Sequence, residues 1–181
     1  MTEQLEPGRQ DAFATKLGWA IFITFLLLFI TIIMVPRTAI GERGPMQLLH
    51  DSLGLILGIL ALIRLYWFIK GPAPRPPEGM PESSFAFSRA ILFTLILVYA
   101  TEFIIGIPYA WAEHGRELVF FGIKIPAPVH PTENMRLING YLHSTLSFYF
   151  LMLFSIWMAV GIWQNIKYGV GLRRLFPGSQ V

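Results

Sequence analysis

Four long apolar stretches, separated by short polar segments, dominate the pattern of the chain. They cover residues 18–35, about 45–69, about 88–111 and about 132–163, and the last one has room to extend a little further. Each is close to the roughly 20 residues that an α-helix needs to cross the hydrocarbon core of a bilayer. The pattern therefore predicts an all-α membrane protein, built as a four-helix bundle with up-down connections.

The segments between these stretches carry residues that start or stop helices. Pro36 closes the first stretch, and Pro45 suits the first turn of the second helix. The run GPAPRPPEGMPESS, residues 71–84, is rich in Pro and Gly and predicts a non-helical linker. Residues 112–131 form the longest loop, and Thr132 is placed to cap the fourth helix.

Lysine and arginine are more frequent on the side of the tails than on the side of the first and third loops. By the positive-inside rule both termini are then cytoplasmic, and those two loops face outward. We therefore expect a cytoplasmic tail (1–16), a four-helix transmembrane domain (17–165) and a cytoplasmic C-terminal tail (166–181). The first apolar stretch lacks a small-residue cleavage site and is long enough to span, so no cleavable signal is predicted.

Composition narrows the chemistry further. The chain is 54% hydrophobic and 14% charged, with a mean hydropathy of +0.56, which requires lipid as part of its solvent. It has no cysteine, which excludes disulfides, thiolate metal sites, iron–sulfur clusters and covalently attached c-type haem. The net charge is +3 and the basic residues lie at helix ends, so we expect no nucleic-acid partner.

Two of the four histidines are placed to face each other inside the bundle. His50 lies about a turn and a half into the second helix and His143 about three turns into the fourth, so both sit at similar depth in the outer half. Ionisable side chains at that depth are costly and usually functional. Two imidazoles suit axial ligation of a planar metal macrocycle, although each alone also suits a satisfied polar residue near the interface. His114 and His130 lie in the outer loop, where we expect them to be solvated.

Small residues accompany both of these histidines. Gly54 and Gly58 follow His50 by four and eight residues, and Gly140 and Ser147 flank His143 on its own helical face. Small side chains let a flat ring enter between helices, and the same spacing suits ordinary close helix packing. Beside two histidines at matched depth, they favour a haem.

The sequence resembles the bacterial cytochrome b561 family over almost its whole length. The resemblance rests on HDSLGLILGILALIRLYW in the second helix, FFGIKIPAP in the outer loop, YLH in the fourth helix and GVGLRRLFPG at the C-terminus. It implies a four-helix protein of the bacterial inner membrane that binds b-type haem and exchanges electrons with the quinone pool. His50 and His143 match the family's two ligands for the outer haem.

The chain departs from the family where an inner haem would bind. Gly18 stands where the family usually has a histidine before Trp19, and Ser88 stands before Arg89 where the family opens its third helix with His-Arg-Ala. The inner end of the fourth helix, from Ile156 to Gln164, has no histidine either. Lys16 and Met158 are poor replacements. We therefore predict one haem b, on the outer side.

A few charged residues are further candidates for function. Glu102, where the family commonly has a small residue, is either a protonated or paired carboxyl or a proton donor for quinone reduction. Arg37 and Arg43 lie just above the predicted haem and are candidates to hold propionates or attract an anionic substrate, or else are ordinary loop charges. Asp51 is placed to orient an imidazole or pair with a basic group. Arg64 and Lys70 are expected to snorkel to the inner interface.

Three functions remain open at this point. The resemblance favours electron transfer between a periplasmic donor, with superoxide as one candidate, and ubiquinone, and leaves open whether the chain is an oxidoreductase in its own right. A second possibility is a haem b subunit that anchors a larger respiratory dehydrogenase. A third is a haem-free structural relic of the same fold.

Overall fold

Four long α-helices make up most of the protein, whose computed structural model describes residues 11–37, 44–113 and 117–170. Each is long and apolar enough to cross a membrane. The helices are α1 (Ala12–Met34), α2 (Gly44–Lys70), α3 (Glu82–Glu113) and α4 (Glu133–Tyr168), and a short 3-10 turn (Val35–Arg37) follows α1. The predicted all-α, four-helix membrane fold is confirmed.

Neighbouring helices run in opposite directions. At one end of the bundle Trp67 Nε1 of α2 donates to the Asp11 carboxylate that caps α1, and at the other end Thr31 of α1 contacts His50 of α2. In the same way Gln164, late in α4, donates to Ser84, early in α3. We call the end where α1 finishes and α2 begins the outer end, and the opposite one the inner end. The helices pack in sequence order, α1 on α2, α2 on α3 and α3 on α4.

The helix boundaries correct the sequence-based ones in two places. α1 begins at Ala12, so part of the predicted polar tail is helical, because Asp11 accepts a hydrogen bond from Phe13 N and caps the helix. α3 begins at Glu82, so the prediction that residues 82–84 belong to a non-helical linker was wrong. The last proline of the linker is Pro81, and nothing after it prevents a helix.

The predicted start of the fourth helix is confirmed. Thr132 Oγ1 accepts a hydrogen bond from Met135 N, 3.2 Å away, and the helix continues to Tyr168. Gly169 then takes a left-handed conformation, with φ of 65°. A glycine in that conformation is a common way to end a helix, because it has no side chain to strain.

The outer loop contains a small hairpin that was predicted only as a loop. Strands β1 (Glu117–Phe120) and β2 (Ile123–Pro126) pair antiparallel, with Phe120 opposite Ile123. The two turn residues, Phe121 and Gly122, have φ of 45° and 89°, as a type I′ turn requires. Four-residue strands without an Asn-Gly or Asp-Gly turn give little alternation to recognise, which is why the sequence did not reveal them.

The hairpin lies against the outer end of the bundle. Ser52 Oγ accepts a hydrogen bond from Phe121 N at 2.9 Å, and Trp111 Nε1 donates to Ile125 O at 3.0 Å. Leu118 of β1 is buried, with 3% of its surface exposed. The hairpin therefore closes over the space between the helices at this end.

The middle and inner parts of the bundle hold the apolar core. Ile91, Leu95, Phe150 and Trp157 are buried together, and Phe25 packs on Phe150 with ring centroids 5.2 Å apart. Many other large apolar side chains on all four helices are exposed, as expected of surfaces that face lipid.

Arg64 does not snorkel, contrary to the sequence-based prediction. It is 4% exposed, whereas Lys70 is exposed. The reason is that α2 packs between α1 and α3, so this position on α2 faces protein and not the bilayer. The stem of a snorkelling side chain needs a free path to the interface, which Arg64 lacks.

Candidate functional site

The rings of His50 and His143 face each other across the outer half of the bundle. Their centroids are 6.3 Å apart and their planes are perpendicular. The structure therefore brings the two predicted histidines together at a similar level of the bundle. Metal–nitrogen bonds of about 2 Å on either side of one metal ion put two imidazole centroids about 6 Å apart, so the spacing fits a metal held between them.

Each imidazole has one nitrogen engaged by a neighbouring side chain. Nδ1 of His50 lies 3.0 Å from Thr31 Oγ1, and Nδ1 of His143 lies 2.6 Å from Glu102 Oε2. Within the described part of the chain, neither Nε2 has a hydrogen-bond partner. Metal-ligating histidines are usually held in this way, with the second nitrogen fixed by a carboxylate, carbonyl or hydroxyl.

The contact with Thr31 also fixes which nitrogen of His50 carries the proton. The Thr31 hydroxyl donates its hydrogen to Leu28 O, 2.6 Å away, so its oxygen is left to accept from His50 Nδ1–H. A neutral imidazole protonated at Nδ1 keeps its lone pair on Nε2. His50 is therefore prepared to act as a ligand through Nε2.

A cavity of about 680 Å³ surrounds the two histidines. Its walls come from all four helices and from Leu118 of the hairpin, and they are mostly apolar. Cavities that bind organic ligands and cofactors span roughly 300–1,000 Å³ and place a few polar groups in an apolar lining. The size, the lining and the spacing of the two imidazole rings fit a flat metal macrocycle such as haem b.

The four predicted small residues are not equivalent in the structure. Gly54 lines the cavity, and a Cβ built on it meets no atom within 4 Å. Gly58 also lines the cavity, but a Cβ on it would lie 2.0 Å from Phe103, so that glycine admits an aromatic ring of α3. Gly140 does the same for Tyr109, whose nearest ring atom would be 2.8 Å away, and Gly140 is not part of the cavity lining. Ser147 lines the cavity.

The structure brings Glu102 and Ser147 together beside His143. Ser147 Oγ lies 2.8 Å from Glu102 Oε1, and Glu102 also lines the cavity. Asp51 lines it as well, on the side of His50. The sequence identified these residues singly, and the contact between Glu102 and His143 was not foreseen because it joins two helices.

Two further residues of the site were missed. Thr31 is one of few polar side chains in an aliphatic stretch, and it is 1% exposed. Gly106 of α3 would place a Cβ 3.5 Å from His143 Cε1, so it leaves room for the imidazole against α3. Thr31 lies 19 residues before His50 and on another helix, which gave no local signal in the sequence.

The remaining candidates lie elsewhere. Arg37 is exposed at the outer end of α1, donates from Nη1 to Ile33 O at 2.6 Å, and does not line the cavity. His130 is exposed just before α4. Arg43 and His114 lie outside the described residues.

The four spanning helices and the facing imidazoles beside an apolar cavity define a membrane protein with a bis-histidine site. The chain belongs to the prokaryotic cytochrome b561 family, whose family model matches residues 9–178. It is thus a multi-pass bacterial membrane protein, and its family is one of b-type cytochromes that function in electron transfer. No match to the chain is found among curated proteins.

Proposed function

We propose that this chain transfers electrons between a periplasmic donor and ubiquinone through one haem b, held near the outer end by His50 and His143. The observation that carries the proposal is the pair of imidazoles 6.3 Å apart across an apolar cavity. Bound there, a haem b supplies one-electron oxidation and reduction at its iron. Superoxide, which gives up one electron to become dioxygen, is a candidate donor.

The chain's own residues would hold the haem and keep water away from it. Thr31 and Glu102 engage the Nδ1 atoms, so that both Nε2 atoms are free to ligate. Gly54 leaves open space in the cavity lining one turn from His50, which would give a flat ring room to bind. Leu118 of the hairpin limits the entry of water from the outer end.

The inner end supports a single haem. Ser88, one of the positions where a family ligand is missing, is 1% exposed, and its hydroxyl donates to Ser84 O. Gln164 is 2% exposed and donates to Ser84 as well. Packed side chains occupy this region, and Phe150 and Trp157 separate it from the cavity. Donor and acceptor must then both reach the outer half.

Ubiquinone would approach from the bilayer between α1 and α4. The backbones of these two helices are not close neighbours in the described part of the bundle, although Phe25 of α1 packs on Phe150 of α4. At the level of the histidines, Phe29 and Ile32 of α1 and Phe148 and Leu151 of α4 line the cavity. Phe148 is 75% exposed and faces lipid. A lipid-soluble quinone can reach this edge without crossing the polar loops.

Reduction of ubiquinone to ubiquinol takes two electrons and two protons, so the donor must deliver electrons twice per quinone. Glu102 lines the same cavity and is the candidate proton donor within it. Arg37 and Arg43 are proposed to hold propionates or to attract an anionic donor such as superoxide at the outer end. We place the protein in the bacterial inner membrane with both termini cytoplasmic.

The test is the haem-to-protein ratio of the purified protein by pyridine haemochrome spectroscopy. We expect one b-type haem per chain, lost in His50→Ala and in His143→Ala. His130→Ala, an exposed histidine outside the cavity, is the matched control and keeps the spectrum. Two haems per chain would overturn the single-haem proposal. A wild-type protein without haem would overturn electron transfer and leave the haem-free structural role as the remaining function.

A second measurement separates electron transfer by the chain alone from service as an anchor subunit. Superoxide-dependent reduction of a soluble ubiquinone analogue by the purified protein supports the first. A failure of that reduction, combined with a soluble dehydrogenase subunit that co-purifies at a fixed ratio, would assign catalysis to the partner.

A further inference from the structure

Glu102 is a largely buried carboxylate that lies beside His143 in the cavity lining. Its side chain is 12% exposed, and its Oε2 lies 2.6 Å from His143 Nδ1. Its other oxygen, Oε1, is 2.8 Å from Ser147 Oγ. A carboxylate in the membrane-spanning part of a bundle costs free energy, so it persists only where it has a structural or functional reason.

We propose that Glu102 is a positioning residue that fixes the imidazole of His143 and lowers the reduction potential of the haem bound there. The inference rests on the proposed function, because it takes His143 as a haem ligand. It assigns Glu102 a role that acts through His143, which is distinct from donating a proton to quinone.

Glu102 Oε2 and His143 Nδ1 are positioned to interact with each other. Both Oε2 and Nδ1 are fully buried, and in the part of the chain that the structure describes neither forms an aligned hydrogen bond with any group. They face each other at 2.6 Å with the ring N–H turned out of line. Ligation through Nε2 would restrict the ring and leave its Nδ1–H to Glu102 Oε2.

The effect on the potential follows from charge. A carboxylate that accepts from Nδ1–H makes the imidazole a stronger electron donor through Nε2. It also puts a negative charge near the iron in a region of low dielectric constant, where charge interactions are strong. Both effects favour the ferric state, which carries one more positive charge than the ferrous state. The haem then gives up its electron more readily.

The other ligand has no such partner, which supplies an internal comparison. His50 Nδ1 contacts the neutral hydroxyl of Thr31, whose own hydrogen is donated to Leu28 O. Removing the Thr31 hydroxyl therefore changes one hydrogen bond and no charge. Asp51 and Glu113 are the other carboxylates in the lining. Asp51 follows His50 in the chain, and both stay in place in all the variants proposed below.

The experiment is an optical redox titration of the haem in the detergent-solubilised full-length protein. Glu102→Gln keeps an oxygen that can accept from Nδ1–H and removes the charge, so we expect a midpoint potential above that of the wild type. Thr31→Val should shift the potential less. Low-temperature EPR of the ferric haem should show changed g-values in Glu102→Leu, in which the ring loses its partner.

An equal or lower midpoint potential in a haem-loaded Glu102→Gln protein would overturn the inference and leave the proposed function intact. If that variant loses its haem, Ser147→Ala provides the test, because it keeps the carboxylate and removes the hydroxyl that contacts it. A small fall in potential is expected there, because a carboxylate without that donor accepts more strongly from Nδ1–H, and an unchanged or higher potential would overturn the inference. A wild-type protein without haem would instead overturn the proposed function and this inference with it.

Discussion

The ring of Phe103 on α3 fills the space that a side chain at Gly58 on α2 would need: a Cβ built on Gly58 would lie 2.0 Å from Phe103 Cδ2. Gly54, one turn closer to the outer end, has no atom within 4 Å of the same position. Two glycines that look alike in the sequence thus have different roles. One admits a side chain of the protein, and the other leaves open the cavity in which we place the haem.

This difference predicts opposite outcomes for two matched substitutions. Gly58→Leu should lower the stability of the protein itself by about 1–3 kcal/mol, because Phe103 and the helix backbones must move apart. Gly54→Leu should leave the haem-free protein as stable as the wild type and reduce its haem content. Thermal unfolding in detergent, measured with and without haem, checks both. Equal destabilisation of the haem-free protein by the two substitutions would contradict the assignment.

Thr31→Val tests how His50 is held. The valine has nearly the same shape and removes the oxygen that accepts from His50 Nδ1–H, leaving a buried donor unpaired at a cost of about 1–3 kcal/mol. Because partners of metal ligands typically change metal affinity by about 10–100-fold, we expect haem to dissociate correspondingly more readily. Transfer of haem to apomyoglobin measures this rate.

Thr24→Val is the control for that experiment. Thr24 lies on the same helix, and its hydroxyl donates to Ala20 O within α1, as the Thr31 hydroxyl does to Leu28 O. Thr31 differs in contacting a histidine and in being more deeply buried. If Thr24→Val loses haem as fast as Thr31→Val, the hydroxyl of Thr31 has no specific role in holding His50.

The sequence was sufficient to predict the helices and the level of the two histidines along them, because both follow from the length and composition of single segments. Length and hydropathy locate spans, and counting turns from each helix start puts His50 and His143 at one depth. The contacts of Thr31 with His50 and of Glu102 with His143 join different helices. They depend on the rotation of each helix about its axis, and uniformly apolar helices that face both lipid and core carry little periodic pattern from which to read it.

The same reasoning explains the errors. Arg64 was predicted to snorkel to the inner interface on the assumption that a charged side chain near a helix end reaches water. Instead it is buried, because α2 lies between two other helices. For Gly140 the sequence left both a haem-facing position and ordinary helix packing open, because spacing does not distinguish a glycine that faces the cavity from one that faces Tyr109. Only the packing of α3 against α4 separates these cases.

Gly122→Val should loosen the hairpin that covers the outer end. Gly122 has φ of 89°, a conformation that costs an ordinary side chain about 1–2 kcal/mol, and nothing lies within 4 Å of its Cβ position, so the cost is one of backbone strain. Hydrogen exchange should become faster at the amide of Phe121, which donates to Ser52 Oγ. Gly44→Ala, at an equally open position without positive φ, is the control and should leave exchange unchanged.

Gln164→Leu tests whether the inner end is a packed polar contact. The Gln164 side-chain amide donates to Ser84 O at 2.8 Å and to Ser84 Oγ at 3.1 Å, and Gln164 is 2% exposed. Leucine fills a similar volume but leaves the Ser84 hydroxyl without this partner, so we expect a loss of about 1–3 kcal/mol in thermal unfolding. Because this contact lies at the opposite end from the histidines, the haem content should stay at the wild-type level. Thr145→Val, at an exposed position on the same helix, should change stability by less than about 0.5 kcal/mol. A loss of haem in Gln164→Leu at unchanged stability would mean that the inner end takes part in cofactor binding, against the single outer site.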